Sequence, residues 1–381
     1  MLSRTHWNYP LFCWLLLTSK IMAERSPVIE RHVKVYAEAG RFAGWPANHG
    51  IWSWGDEVLV GFSHGFAKDN GTDYRIDPDR GEDFLLARSR DGGASWSVEV
   101  PGPPGALVGT RGMRHAAFPR GVAEERSIEF DQPIRFDHPD FAMIVRMESH
   151  QTGASRFSIS YDRGKSWQGP FLLPLFGHKA VMGRTDYLVN GAQDCLLFLT
   201  ATKFDGTEGR PIVVRTVDGG RSWNLVAHIG PEPHGYAVTP STVRVSPTDL
   251  VTALRMRDFP RRWIDAYASQ DNGLSWSFLS TPAPDTGEGN PPSLVRLKDG
   301  RLVLTYGFRG EPFRIESRMS NDQGKTWSEP FVLRGNGKTH DVGYPRSAIR
   351  TDGKIVTVYP FPDPDSTDCG LEATIWNAGQ P

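Results

Sequence analysis

The sequence predicts an all-β fold, a six-bladed β-propeller with four antiparallel strands per blade, and three observations predict it. One eight-residue pattern, Ser/Thr-x-Asp-x-Gly-x-Ser/Thr-Trp, occurs five times. Its aspartates, Asp91, Asp162, Asp218, Asp271 and Asp322, stand 71, 56, 53 and 51 residues apart, and the last three intervals each fit one four-stranded sheet. The 40 glycines and 29 prolines in 381 residues supply the turns that such a fold needs.

The repeated octapeptide is structural in its chemistry. An aspartate accepts hydrogen bonds from backbone N–H groups just ahead of it and closes a hairpin turn. The glycine two residues later takes the positive φ that the turn demands. The tryptophan opens the next strand and places a large ring between neighbouring sheets. Five equivalent aspartates cannot all serve one catalytic centre, so they are read as architecture.

The blades follow in chain order. Strand-like runs precede the turns at Glu57–Phe62, Phe141–Val145 and Arg301–Tyr306. The long first interval holds Pro101–Arg126, rich in Gly and Pro and read as a rim loop. After the fifth turn, Tyr344–Ile349, Lys354–Tyr359 and Glu372–Trp376 form a sixth unit without the octapeptide, and the early strand His32–Tyr36 completes it. The chain ends thereby close the ring, and residues 24–381 make one domain.

Composition narrows the function. Forty-three Lys+Arg against 44 Asp+Glu give a net charge of -1, which excludes a protein that coats nucleic acid. Twelve Trp and 20 Phe supply an extensive core and exclude disorder. The three cysteines are too scattered for a disulfide framework or a zinc cluster, and Cys195 and Cys369 are read as small buried hydrophobes. No cofactor and no metal is expected. Asp363, Asp365 and Asp368 lack regular calcium-ligand spacing and are read as a polar loop.

Residues 1–23 allow two readings. Arg4 and His6 precede the apolar run Leu11–Leu17, which has the look of a secretory signal and is too short to span a bilayer. Lys20 and Ile21–Ala23 give a poor cleavage site, so the rival is an upstream extension with translation starting at Met22. The first reading implies a secreted or periplasmic protein, the second a cytoplasmic one. No other run is long and apolar enough to cross a membrane.

In a propeller the innermost strands line an axial channel, and loops on one rim form the pocket. His49 stands at the start of such a strand, where an imidazole exchanges protons near neutral pH or else serves as a hydrogen-bonded structural residue. His64 follows the second strand of the same blade and is placed on the same rim as a substrate-binding residue. Arg146, Arg255 and Arg309 recur just after an apolar strand in three blades. Their convergence predicts an anionic ligand group; the alternative is a local partner for each, Glu148, Asp258 and Glu311. Tyr344 opens the innermost strand of the sixth blade, where it enters the channel or plugs it.

The octapeptide is the Asp-box, or BNR repeat, and the chain beyond the leader resembles the sialidase superfamily of six-bladed propellers. That resemblance implies arginines clamping a substrate carboxylate, a tyrosine nucleophile activated by a glutamate, and an aspartate acid/base. The segments ending in Arg255 and Arg309 resemble those carrying clamp arginines. Gly343-Tyr344-Pro345-Arg346 resembles the nucleophile segment, which makes Tyr344 catalytic and Arg346 substrate-binding. The acid/base position corresponds to the loop Phe66–Asp83, so Asp69 or Asp73 is its candidate, against the alternative of solvated loop carboxylates.

Two positions depart from sialidases. His49 stands where an arginine is expected at the start of the first blade, and Val238–Thr242 lacks the activating glutamate. Arg75-Ile76-Asp77-Pro78 looks like the missing signature but falls elsewhere in the blade. Asn48-His49-Gly50 is similar instead to His-centred propellers that cleave uronic-acid polysaccharides, a rhamnose-releasing hydrolase group and certain ulvan lyases. The expected function is an exo-acting glycoside hydrolase on an oligo- or polysaccharide carrying an acidic sugar. A polysaccharide lyase and a non-catalytic glycan-binding propeller are the alternatives.

Overall fold

The computed structural model describes residues 26–69, 75–101, 132–362 and 368–379. The leader, Asp73, Asp363, Asp365 and nearly all of Pro101–Arg126 lie outside the described residues.

The chain is an all-β propeller with four-stranded antiparallel blades. It begins with β1 (Val28–Tyr36), β2 (Arg41–Gly44), the one-turn helix α1 (Pro46–His49), β3 (Ile51–Trp54), β4 (Glu57–Phe66), β5 (Asp83–Ser89) and β6 (Ser97–Glu99). A three-stranded sheet follows: β7 (Ala142–Met147), β8 (Ser155–Ser160) and β9 (Gln168–Leu172). The next sheet has five strands: β10 (Val181–Met182), β11 (Tyr187–Gly191), β12 (Asp194–Thr202), β13 (Glu208–Thr216) and β14 (Asn224–His228). Then come two four-stranded sheets. The first is β15 (Tyr236–Arg244), β16 (Leu250–Asp258), β17 (Arg261–Ser269) and β18 (Ser277–Ala283). The second is β19 (Ser293–Arg296), β20 (Leu302–Phe308), β21 (Phe313–Ser320) and β22 (Phe331–Gly337). The chain ends with β23 (Arg346–Ile349), β24 (Ile355–Pro362) and β25 (Cys369–Asn377).

Six separate blades are not what the hydrogen bonding gives. Four sheets stand apart, while the first and last strands of the chain share one nine-stranded sheet. Its physical cause is β2, which lies antiparallel to β4 and touches β25 in parallel through Phe42 and Cys369. The chain ends do meet as the sequence implies: β1 runs antiparallel to β25, with Val28 opposite Asn377 and Tyr36 opposite Leu371.

The five octapeptide turns share one hydrogen-bond pattern. In the first, Ser89 Oγ donates to Asp91 Oδ1 (2.8 Å) and accepts from the Gly93 N–H (2.7 Å). Ser95 donates to the same carboxylate through its N–H (2.8 Å) and its hydroxyl (2.6 Å). The other four turns repeat these bonds at Asp162, Asp218, Asp271 and Asp322. Gly93 sits at φ 89°, a left-handed conformation in which a Cβ would be strained. The Ser95 hydroxyl leads the bonds that hold Asp91 down at about 2, so it is ionised at any working pH and spent on the turn.

Alternate residues of a strand serve different cores because both faces of each sheet are covered. Along β12, Leu197, Leu199 and Ala201 join the cluster shared with Phe157 and Trp223, while Leu196 and Phe198 join the one containing Leu254 and Tyr267. The octapeptide rings plug these layers, Trp167 against Leu59 and Phe84, Trp276 beside Phe198. Cys195 and Cys369 are buried free thiols, and burial pushes both up. No helix among the described residues is long and apolar enough to cross a membrane.

Candidate active site

The octapeptides occupy one rim of the propeller; the candidate residues gather on the other, where each second strand ends and each innermost strand starts. A second repeat marks this rim. Trp45-Pro46, Thr239-Pro240, Asn290-Pro291 and Tyr344-Pro345 all introduce innermost segments. Trp45, Thr239 and Tyr344 hold φ of 60°, 54° and 46°, a costly conformation for side chains with a Cβ, and such outliers concentrate at functional sites. This X-Pro recurrence was a sequence signal that the octapeptide overshadowed.

Asn290 fixes the tyrosine. Its Oδ1 accepts from the N–H of Tyr344 (2.8 Å) and of Gly307 (3.2 Å), and its Nδ2 donates to the Val342 carbonyl (3.1 Å). Gly343 permits this approach: a Cβ there would lie 2.1 Å from Asn290 Nδ2. The phenol is half-buried between two of the expected arginines. Arg255 Nη1 donates to Tyr344 Oη (3.3 Å), and the Arg309 guanidinium lies 5.1 Å from the ring centre. Arg309 is anchored by its Nε on the Val342 carbonyl (3.0 Å). Arg255, Arg309 and Tyr344 therefore meet, although their positions span 89 residues.

The helix α1 links this trio to the rest of the rim. The Ala47 N–H donates to the Tyr344 carbonyl (3.0 Å). Arg346 Nη2 donates to the carbonyls of Ala47 (2.9 Å) and Thr185 (2.8 Å). Buried and committed to the backbone, Arg346 pins three segments together, which departs from the substrate-binding role expected for it.

His49 also departs from expectation. It ends α1 rather than opening a strand, and it is 0% exposed. Its ring packs 5.0 Å from Phe84, over Gly61, where a Cβ would clash with His49 Cβ at 2.8 Å. Arg146 Nη2, which can only donate, faces Nδ1 at 3.3 Å, so Nε2 carries the proton given to Ser63 Oγ at 3.0 Å. Burial, then Arg146 and Arg346, hold the imidazole well below its ordinary 6.5. The imidazole thus rests neutral and turned toward Arg146 rather than toward open solvent.

A folded-state value below the unfolded one means that the unfolded chain binds the extra proton. Stability is then lost as pH falls below 6.5. Urea midpoints measured from pH 7.5 to 5 are expected to decline less steeply in His49→Gln than in the parent chain.

Arg146 stacks 3.8 Å above Phe84; burial pulls its guanidinium down, and the Glu82 carboxylate opposes that pull. Of the sequence neighbours expected to partner the arginines, Glu148 pairs with Arg156 (3.5 Å) and Asp258 lies opposite Arg261. His64 faces away from His49. Successive β4 residues face opposite ways: Ser63 meets His49, whereas His64 meets Tyr36 (2.8 Å) and Arg41 (2.9 Å). Asp69 is exposed just beyond β4.

The rim also carries groups that sequence reasoning missed. Arg184 donates to Asn48 Oδ1 (3.2 Å) and to Glu208 Oε1 (2.8 Å), and His150 lies 3.5 Å from the same carboxylate. Burial pushes Glu208 up, but Arg184 and His150 outweigh it and hold the group at about 2. Lower in the hub, Asp186 accepts from the Thr242 hydroxyl (2.8 Å), and loss of solvation pushes it to about 7 against the pull of Arg346. Gly183-Arg184-Thr185-Asp186 at the start of its innermost segment was the available signal. Among the described residues no cluster of three or more His, Cys, Asp or Glu is placed to hold a metal.

Residues 141–357 match the BNR repeat-like domain family. The chain belongs to that family. No curated protein matches this BNR repeat-like chain. Among solved structures it is similar to a protein of unknown function from Dyadobacter fermentans, at 19% identity and TM-score 0.70, covering 92% of this chain and 99% of that one. It is similar to the NanB sialidase of Streptococcus pneumoniae at 11% identity and TM-score 0.57, over 91% and 70% of the two chains. An α-L-arabinofuranosidase of Fusarium graminearum matches at 13% identity and TM-score 0.55, over 88% and 96%. At such identities these likenesses show the fold alone, a propeller.

Proposed function

We propose that this BNR repeat-like propeller is an exo-acting glycoside hydrolase that removes an acidic sugar from a glycan. Its nine-stranded sheet is read as two blades sutured by β2, which brings the ring to six. The observation that carries the reading is Tyr344 flanked by Arg255 and Arg309 on the hub rim. Two guanidinium groups beside one phenol suit a ligand that brings a carboxylate to a reacting centre. Arg146, oriented by His49, adds a third cation across α1.

In the proposed reaction the sugar carboxylate lies against Arg255 and Arg309. The Tyr344 oxygen attacks the anomeric carbon as the glycosidic bond breaks, and the phenol proton passes to a base or water. The leaving oxygen takes a proton from a blade-one carboxylic acid, Asp69 or Asp73. Water then releases the sugar from the tyrosine. Arg255, already donating to the phenol oxygen, stabilises the charge that develops there.

The second reading is a glycan-binding propeller. It is favoured by the locked state of the two best proton carriers on the rim, His49 sealed and neutral and Glu208 held ionised. Incubation with sialyl and uronic-acid oligosaccharides separates the readings. Released acidic sugar without ultraviolet absorbance supports hydrolysis, an unsaturated absorbing product indicates elimination, and binding without product leaves the binder.

A further inference from the structure

Two of the most exposed aromatic side chains lie on the same rim as Tyr344 and have no role in the site described above. Phe204, 93% exposed, caps the turn between β12 and β13; Phe259, 77% exposed, caps the turn between β16 and β17. Both turns follow second strands, the strand ends that also deliver Arg146, Arg255 and Arg309. Leaving two phenyl rings in water at adjacent hairpin tips forgoes the burial that would stabilise the fold, and such surfaces mark places where something docks.

The two tips belong to one continuous strip. The Phe204 N–H donates to Glu232 Oε1 (3.2 Å), and Lys203 Nζ donates to the His234 carbonyl (3.0 Å). These bonds hold the turn onto the segment that leads into Tyr236. Tyr236 stands opposite Arg257 in the ladder, and the guanidinium groups of Arg255 and Arg257 each lie 5.7 Å from its ring centre. Beyond it, Arg261 stacks 4.7 Å over Trp263 and Arg262 lies 5.9 Å from the Phe259 ring. Two nearby carboxylates are engaged, Asp205 with Lys203 (3.2 Å) and Glu288 with Arg262 (3.1 Å), while Asp258, exposed beside Phe259, stands opposite Arg261 in the ladder. At its inner end the strip reaches Arg255, which touches Tyr344.

Rings alternating with guanidinium groups fit one ligand chemistry. Each unit of an acidic polysaccharide has an apolar C–H face, which stacks on an aromatic ring, and a carboxylate edge, which a guanidinium binds. We propose that the strip from Phe204 through Tyr236 and Phe259 to Arg255 seats the polymer chain on the leaving-group side of the sugar held at Tyr344. The substrate is thus an acidic polysaccharide rather than a single terminal sugar on a small conjugate. This rests on the acidic-glycan reading given above and extends it to chain length.

The test compares the full chain with the Phe204→Ala/Phe259→Ala double variant, which truncates side chains that are 93% and 77% exposed; matching urea midpoints for the two proteins check that the fold is kept. Affinity electrophoresis through gels containing polygalacturonate, alginate or chondroitin sulfate reads polymer binding. Calorimetry with free galacturonate, glucuronate and N-acetylneuraminate reads the single-sugar site. At least about tenfold weaker polymer retention by the variant, with single-sugar affinity unchanged, is the expected result. Equal polymer retention by both proteins overturns the proposal, as does a parent chain that binds a free acidic sugar but none of the polymers; the acidic-glycan reading survives either outcome. A parent chain that binds neither sugars nor polymers removes both. Sedimentation with phosphatidylglycerol vesicles, if lost in the variant and not competed by polymer, assigns the strip to a membrane surface and also overturns the proposal.

Discussion

Tyr344→Phe is expected to abolish turnover while leaving binding nearly intact. The substitution removes only the phenol oxygen, the atom that Arg255 reaches at 3.3 Å. The ring that packs against Trp45 and Arg309 stays, with centroid separations of 6.3 Å from Trp45 and 5.1 Å from the Arg309 guanidinium. Backbone geometry stays as well, because Asn290 holds the Tyr344 N–H and the φ of 46° is set by the main chain. An interaction made chiefly in the transition state lowers kcat without a matching rise in KM. Loss of the nucleophile is expected to reduce kcat by at least about 10^3-fold, with the affinity for a free acidic sugar changed by less than about threefold. Steady-state kinetics and calorimetry on the same preparation check it. A variant that keeps more than a tenth of the parent rate means that Tyr344 is not the nucleophile.

Trp376→Ala is expected to give the largest loss of stability in the set. Trp376 lies on β25, the strand that receives β1 and so joins the two ends of the chain. The ring is 0% exposed, stacks with Phe331 and donates its Nε1–H to Thr357 Oγ1 (3.0 Å). Truncation leaves a cavity in the cluster with Ile355 and Tyr359 and removes the indole donor from the Thr357 hydroxyl, which keeps its bond to Ser347 Oγ (3.0 Å). Removing a buried tryptophan costs about 3–5 kcal/mol, at the upper end when a hydrogen bond goes with it. Guanidinium denaturation followed by tryptophan fluorescence should show a midpoint shifted down accordingly. Leu172→Ala, at an exposed position on β9, is the control and is expected to shift it by less than about 0.5 kcal/mol.

The fold was legible because its determinants are local and repeated. Each octapeptide closes its own turn with bonds that reach four residues at most, so Ser89, Asp91, Gly93 and Ser95 could be read from spacing alone. The site was legible where position in a blade fixes direction. Arg255, inside β16, and Arg309, just past β20, both lie toward the same end of equivalent second strands, and Tyr344 precedes the innermost strand β23. It was not legible where one residue of register decides the outcome. His64 was expected beside His49, yet strand alternation turns it to the other face. The seal over His49 depends on Gly61 and Phe84, contacts that no spacing rule discloses. Joining the outer sheets through β2 rests on a single parallel pair, Phe42 with Cys369, 327 positions apart and without any sequence periodicity. Arg184 and Glu208 escaped notice because each looks like an ordinary surface charge until the hub brings them beside Asn48.

Diffraction from crystals of the full chain soaked in galacturonate and, separately, in N-acetylneuraminate tests the central claim most directly. The account predicts the sugar carboxylate between the guanidinium groups of Arg255 and Arg309, with the anomeric carbon turned toward Tyr344 Oη. A carboxylate bound anywhere else on the hub, or a sugar held at this place by its hydroxyls with the acid group in solvent, contradicts it.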